Sequence, residues 1–307
     1  PMLQRGRQFA TWYTEKSFQA LFDNASAELQ KAVPLDAWSQ VHNQLQSQFG
    51  REVELKDEHL IPSQDHVVYH RIAAWDGAES TLNSYISISP NGKLIGFFIK
   101  PTPKVADSAF LEYQTKTDLR LPFTGEWWVF WGGRSVEKNY HAAYPDQRFA
   151  LDLVIRKENK NYKTDGKTNE DYYAFSQPVL APGAGVIVSV TNDVIDNIPG
   201  QMNPKQATGN HVIIDHENGE FSLLAHFKQG SITVKAGDRI AAGDPLGQCG
   251  NSGNTSESHI HYHMQDTPDF GKGAGMPLQF QNYRSNGKPV ARGEVEQGQF
   301  IEPQPTK

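Results

Sequence analysis

The chain has 307 residues, enough for two domains that each bury a core of their own. With 37% hydrophobic residues and 26 glycines the composition is globular and excludes disorder as the main state. No run approaches the roughly 18 consecutive apolar residues of a membrane helix, so no membrane span is expected. The formal net charge is −6, and acidic residues outnumber basic ones in both 1–103 and 104–307, which argues against nucleic acid and anionic membranes as partners. One cysteine, Cys249, excludes an intramolecular disulfide and a Cys-rich metal cage. The sequence opens Pro1-Met2 without a charged and then apolar leader, so an export signal is expected to be absent from it.

In chain order, Phe9, Trp12, Leu21, Phe22, Ala25 and Leu29 fall at three- and four-residue spacings that predict one amphipathic helical region. A second helix is predicted between Pro34-Asp36 and Gly50, with Trp38, Val41, Leu45 and Phe49 along one stripe. Strands follow over 67–75 and 84–89, and Asn91-Gly92 signals a tight hairpin to a strand over 93–100. Residues 1–103 therefore read as a small α+β domain, and the polar, Pro-flanked stretch 104–120 as a linker. Residues 121–307 read as a mainly β domain, with strands over 127–131, 149–155, 185–190, 211–215, 221–226, 231–234 and 259–265. The end from Gly271, rich in Gly, Gln and Pro, is expected to be partly irregular.

Of the eleven histidines, His42, His59, His66 and His70 lie in the first part without ligand spacing and are expected to face solvent. The other seven fall between His141 and His263, a density that suggests a metal. In Ser258-His259-Ile260-His261-Tyr262-His263, strand alternation puts three imidazoles on one face at roughly 6–7 Å intervals. Surface histidines would be the ordinary explanation of one isolated His-x-His. Here the pair follows Gly250-Asn251-Ser252-Gly253, a tight turn delivering the chain into the strand.

On these residues, together with Pro182-Gly183-Ala184-Gly185, Gly209-Asn210-His211, Leu224-Ala225-His226-Phe227 and Ala236-Gly237-Asp238, the sequence resembles the lysostaphin-type zinc metallopeptidases, many of which cleave peptide cross-links of bacterial cell walls. The resemblance runs in order through about 121–290. It implies an antiparallel β peptidase domain holding Zn2+, with His141, Asp152 and His261 as metal ligands and His226 and His259 as a non-ligand catalytic pair. The family pattern places the first ligand four residues before the Asp, where this chain has Arg148, whose permanent charge does not suit zinc. His141 is the histidine available between His70 and His211, which implies a longer loop. Asp152 sits inside the apolar run Phe149–Leu153, where a carboxylate is costly to bury without a cation. A His, Asp, His set would leave a fourth position open, as catalytic zinc sites do.

The resemblance therefore implies a zinc endopeptidase acting on the peptide part of peptidoglycan, exported to the periplasm, cell wall or exterior. Its N-terminal domain would be a noncatalytic accessory. Two other readings stay open at this point: a noncatalytic wall-binding or hydrolase-activating protein, and a zinc hydrolase acting on other peptides. The sequence leaves the oligomeric state undetermined. His211 and His216 are read as packing or supporting groups, Cys249 as a turn-packing residue, and Trp127, Trp128 and Trp131 as core more readily than groove. His263 is expected to be a non-ligand.

Overall fold

The structure, a computed structural model, describes residues 1–63 and 65–304. It divides into two compact units, Pro1–Lys104 and Val105–Lys307. In the first, α1 (Met2–Thr14), α2 (Phe18–Asp23), α3 (Ala27–Ala32) and α4 (Leu35–Phe49) precede an antiparallel sheet of β1 (Glu52–Pro62), β2 (Val67–Trp75), β3 (Leu82–Ile88) and β4 (Leu94–Pro101), laid side by side in that order. The single helical region expected over Phe9–Leu29 is three helices. Lys16, at φ 60°, follows the first, and Ser26 starts the third by accepting a hydrogen bond from Leu29 N. Phe9, Tyr13 and Leu21 still enter one core with Tyr69, Ile86 and Leu94.

Helix α4 runs between Pro34 and Gly50 as expected, and Gly50 takes φ 76°. Its buried face passes through Trp38 and His42, while Val41 is 49% exposed. From Trp38 the packed row takes the i+4 neighbour, not the i+3 neighbour of the expected stripe. Two of the four N-terminal histidines are buried, against expectation. His42 is edged by Tyr13 and Phe18, and His70 stacks on Tyr85 at 4.5 Å and bonds Asn83 at 2.8 Å. β1 has no counterpart among the expected strands. Its charged run Glu52–Glu58 forms a sheet edge, paired with β2, where charge is tolerated and discourages further pairing.

The second unit is β-rich, with β5 (Trp127–Trp131), β6 (Leu151–Val154), β7 (Pro178–Leu180), β8 (Gly185–Thr191), β9 (Asn210–Asp215), β10 (Phe221–Phe227), β11 (Arg239–Ile240), β12 (Pro245–Gln248), β13 (Ile260–Gln265), β14 (Gly275–Met276), β15 (Phe280–Ser285), β16 (Lys288–Gly293) and β17 (Phe300–Pro303). An antiparallel sheet runs β11-β8-β9-β10-β13-β6-β5-β17-β15-β16, with β14 beside β13 and a separate β12–β7 pair. The end from Gly271 is partly irregular, over 271–274, 277–279 and 294–299, but its strands β15 and β17 extend the sheet from β5 and bury Phe280 and Ile301. Residues 231–234, expected as a strand, are irregular.

The stretch 104–120 is not a linker. Leu119 is fully buried, and Phe110 and Tyr113 pack on the core of the second unit. The fully buried Glu220 accepts hydrogen bonds from Tyr113 Oη, Lys116 N, Thr117 N and Thr117 Oγ1 at 2.9, 2.6, 2.8 and 2.5 Å. Polar residues read as solvated linker here because their common acceptor lies 103 positions beyond Thr117.

Candidate active site

Strand β13 lies between β10 and β6, and its register pairs His261 with Ala225 on one side and with Asp152 on the other. The sheet thereby sets the Asp152 carboxylate beside His261, and the lateral pairing decides it. His141 arrives from a short 3-10 turn over Tyr140–Ala143. Asn139 holds that turn in place: its Oδ1 accepts from His141 N, and its Nδ2 donates to Gly133 O at 3.0 Å and to Ala150 O at 2.9 Å. The segment that separates His141 from Asp152 by eleven positions thus returns His141 to the strand. His141 Nε2 lies 3.0 Å from Asp152 Oδ2, and His261 Nδ1 lies 2.9 Å from Asp152 Oδ1. Arg148 takes no part: its guanidinium bonds Ala106 O at 3.0 Å and lies over Phe149.

His226 and His259 share the same cleft, with ring centroids 4.8 Å apart. His226 sits at φ 65° where β10 is irregular, its own N–H donating to Thr208 O. Its Nδ1 is 2.7 Å from Ser252 O, and His259 Nδ1 is 3.0 Å from Glu257 O. A carbonyl can only accept, so each Nδ1 carries the proton; His226 Nε2 is then turned to the cleft, and His259 Nε2 lies 3.5 Å from Asp152 Oδ1. The turn that supplies Ser252 O is built on close backbone contact. A Cβ on Gly209, at φ 56°, would lie 2.1 Å from Ser252 O, and one on Gly253, at φ 93°, would lie 2.4 Å from Gly209 N. Asp196 fixes the same turn, accepting from Asn251 N at 2.7 Å and from Gln229 N at 3.0 Å.

Electrostatics follow from burial and crowding. Burial alone would raise the Asp152 carboxyl, but the His141 and His259 imidazoles outweigh it and hold the group well below the usual carboxylate range. Burial, reinforced by His259 and His261, pushes His226 well below its ordinary value. For His259 burial is opposed by Asp152, and the net direction is upward. The donor atoms of His141, Asp152 and His261 all lie within 4.8 Å of one another, as do those of His226, His259 and His261. Tetrahedral donors about 2.0–2.1 Å from a zinc ion lie roughly 3.3 Å apart, close to the 3.0 and 2.9 Å separations about Asp152. Two imidazoles and a carboxylate, 4–6% exposed, are a donor set that fits zinc, and a cation there compensates the buried carboxylate.

Other side chains complete the cleft: Tyr140, Gln147, Thr208, Asn254 and Phe270 line it beside the histidines. Sequence reading does not single these out, since they come from separate loops and carry no spacing signal. Tyr140 lies against His141 at 4.0 Å and is edged by Trp131, whereas Trp127 is core. His211 contacts Thr208 Oγ1 and Gly209 O, and His216 is tied to Ala184 O and Ser222 Oγ. Cys249 is buried, and burial pushes its thiol up to about 12.

Residues 170–275 match the family model described as peptidase family M23. That stretch contains His226, His259 and His261, and the fold brings His141 and Asp152 to it from upstream. Over 87 residues the chain is 30% identical to the peptidoglycan DD-endopeptidase ShyA of Vibrio cholerae, a match covering 28% of this chain and 17% of that protein. The chain thus spans less than a fifth of that relative's length. The catalytic domain of lysostaphin from Staphylococcus simulans is similar at 17% identity, over 48% of this chain and 86% of that one, with a TM-score of 0.29. The catalytic domain, in a single-site mutant, of the prophage-encoded M23 protein EnpA from Enterococcus faecalis is similar at 19% identity, over 52% of this chain and 93% of that one, with a TM-score of 0.33.

Proposed function

Because the chain carries a peptidase family M23 domain, we propose that it is an exported zinc-dependent endopeptidase that hydrolyses peptide bonds in bacterial peptidoglycan. The observation that carries this reading is the convergence of His141, Asp152 and His261 around one point, with His226 and His259 in the same cleft yet held through Nδ1 by backbone carbonyls. His141 Nε2, an Asp152 oxygen and His261 Nδ1 would hold the ion. Zinc, when bound, supplies Lewis-acid polarisation of the scissile carbonyl and acidifies water.

The chain's own groups supply the rest. With Nδ1 held by a carbonyl, His226 and His259 each present Nε2 toward the cleft they both line, so one can take the proton of the attacking water and the other, protonated, can donate to the developing oxyanion. Asp152 already meets the His141 and His261 imidazoles and would be committed to the ion when it is bound. Tyr140, Thr208, Asn254 and Phe270 wall the position of the peptide, and among the described residues no Lys, Arg or Glu lines that wall. The peptidoglycan assignment is supported by the similarity to ShyA, and export follows from where that substrate lies. The unit Pro1–Lys104 is assigned a noncatalytic accessory role.

Digestion of purified sacculi with the zinc-loaded protein, followed by mass spectrometry of released fragments, tests the reading. New amino and carboxyl termini at one defined peptide bond are expected. Intact sacculi together with cleavage of unrelated peptides would move the substrate elsewhere.

A further inference from the structure

The strand that carries His261 continues into a buried polar row that the reaction itself does not use. His261 Nε2 is 2.9 Å from His263 Nδ1, His263 Nε2 is 3.0 Å from Gln265 Oε1, and Gln265 Nε2 donates to Thr267 O at 2.6 Å and to Asp269 O at 3.1 Å. His263 and Gln265 are each 1% exposed. These residues lie two apart on one strand, so alternation places all three side chains on one face.

The direction of every bond in this row follows from its far end. Two backbone carbonyls can only accept, so the Gln265 amide must turn its NH2 to Thr267 and Asp269 and its oxygen to His263. That oxygen requires a proton on His263 Nε2, which leaves a lone pair on Nδ1. The lone pair in turn requires a proton on His261 Nε2, and the atom left to His261 for a cation is Nδ1, which faces Asp152 at 2.9 Å. We propose that His263 and Gln265 are positioning residues that lock His261 in the tautomer presenting Nδ1 to the metal, with the order of donors set by the carbonyls of Thr267 and Asp269. This rests on the reading of His261 as a ligand. Outer partners of this kind fix ring orientation and raise ligand basicity, and their loss commonly reduces metal affinity 10–100-fold.

The row also has a consequence for the cleft. Thr267 and Asp269 belong to the loop that carries Phe270, a lining residue whose ring lies 6.1 Å from His263. The same bonds that orient His261 therefore hold one wall of the substrate space.

The test begins with the unmodified, zinc-loaded protein. Long-range 1H–15N correlation spectra should show His263 protonated at Nε2 and unprotonated at Nδ1, and His261 protonated at Nε2. A His263 protonated at Nδ1, or at both nitrogens, overturns the proposal without reference to any variant. Chelator competition then gives zinc affinity for His263→Ala and Gln265→Leu, expected to fall 10–100-fold with far-UV circular dichroism unchanged. Gln265→Glu, which keeps an acceptor toward His263, should retain the His263 tautomer that Gln265→Leu loses. Unchanged affinity in both His263→Ala and Gln265→Leu would sink the proposal. His261→Ala is the separate control: if it keeps its zinc, the ligand reading has failed, not the direction of the row.

Discussion

Two kinds of histidine stand within 5 Å of each other in the cleft, and their hydrogen bonds separate them. His141 and His261 turn a ring nitrogen to the Asp152 carboxylate at 3.0 and 2.9 Å, whereas His226 and His259 are anchored through Nδ1 on backbone carbonyls, with His259 Nε2 at the longer distance of 3.5 Å from Asp152. Substituting His141, Asp152 or His261 by Ala is therefore expected to abolish activity and remove most bound zinc, as measured by metal analysis after gel filtration. Substituting His226 or His259 by Ala should leave one zinc per chain while turnover falls by about 10²–10⁴, the usual loss for a placed base or oxyanion donor. Near-normal turnover in both variants would overturn their catalytic role. His263, expected from the sequence to be a non-ligand, is buried against His261, and on the proposal above its replacement should weaken metal binding.

At the scale of elements, two features hold the site and neither is itself chemical. The turn around Ser252 fits against Gly209 so closely that a methyl group has no room. Gly209→Ala should lower activity and melting temperature together, through displacement of Ser252 O from His226. The strap 113–117 is the second. Burial would raise the Glu220 carboxyl, but donors from Thr117 and Lys116 outweigh it and hold the group below its ordinary value. A carboxyl lowered by folding stabilises the protein above its unfolded pKa of about 4.3, and that contribution fades as pH falls through the lower folded value. Glu220→Gln should thus cost about 1–3 kcal/mol at pH 7, measured by urea unfolding. The gap from the parent protein should narrow below about pH 4; a gap independent of pH would show that the charge is not what the strap uses.

For the whole molecule the question is where the catalytic unit begins. Ala106 donates to Ala142 O beside His141 and accepts from Arg148, so even the first residues after Lys104 brace the turn that carries a candidate ligand. A fragment starting at Val105 is expected to fold and bind zinc. One starting at Leu121, the boundary that the sequence suggests, leaves Glu220 buried without its donors and uncovers the place of Leu119. Its melting temperature should fall by about 10 °C or more, at roughly 2–4 °C per kcal/mol for a unit of this size. Equal stability of the two fragments, compared by calorimetry, would return 105–120 to the status of a linker.

Local chemistry made much of this protein legible from sequence alone. The α4 boundaries, the Asn91-Gly92 hairpin and the Gly-Asn turn before His259 depend on residues that impose a backbone conformation by themselves. The strict alternation of His259, His261 and His263 needs only the pleat of a strand. Tertiary structure alone decided what depends on partners distant in sequence. Val41 and His42 exchange places because packing against Tyr13 and Phe18, not hydropathy, selects the buried face. Glu52–Glu58 becomes a strand because β2 offers it an edge, and 113–117 becomes a strap because Glu220 collects its donors. Which nitrogen His261 turns to Asp152 is likewise decided by pairing, since β6 enters beside β13 at one register and Gln265 meets two carbonyls. A sequence carries residue types and spacings, whereas lateral register and the direction of a hydrogen bond exist only between chain segments already brought together.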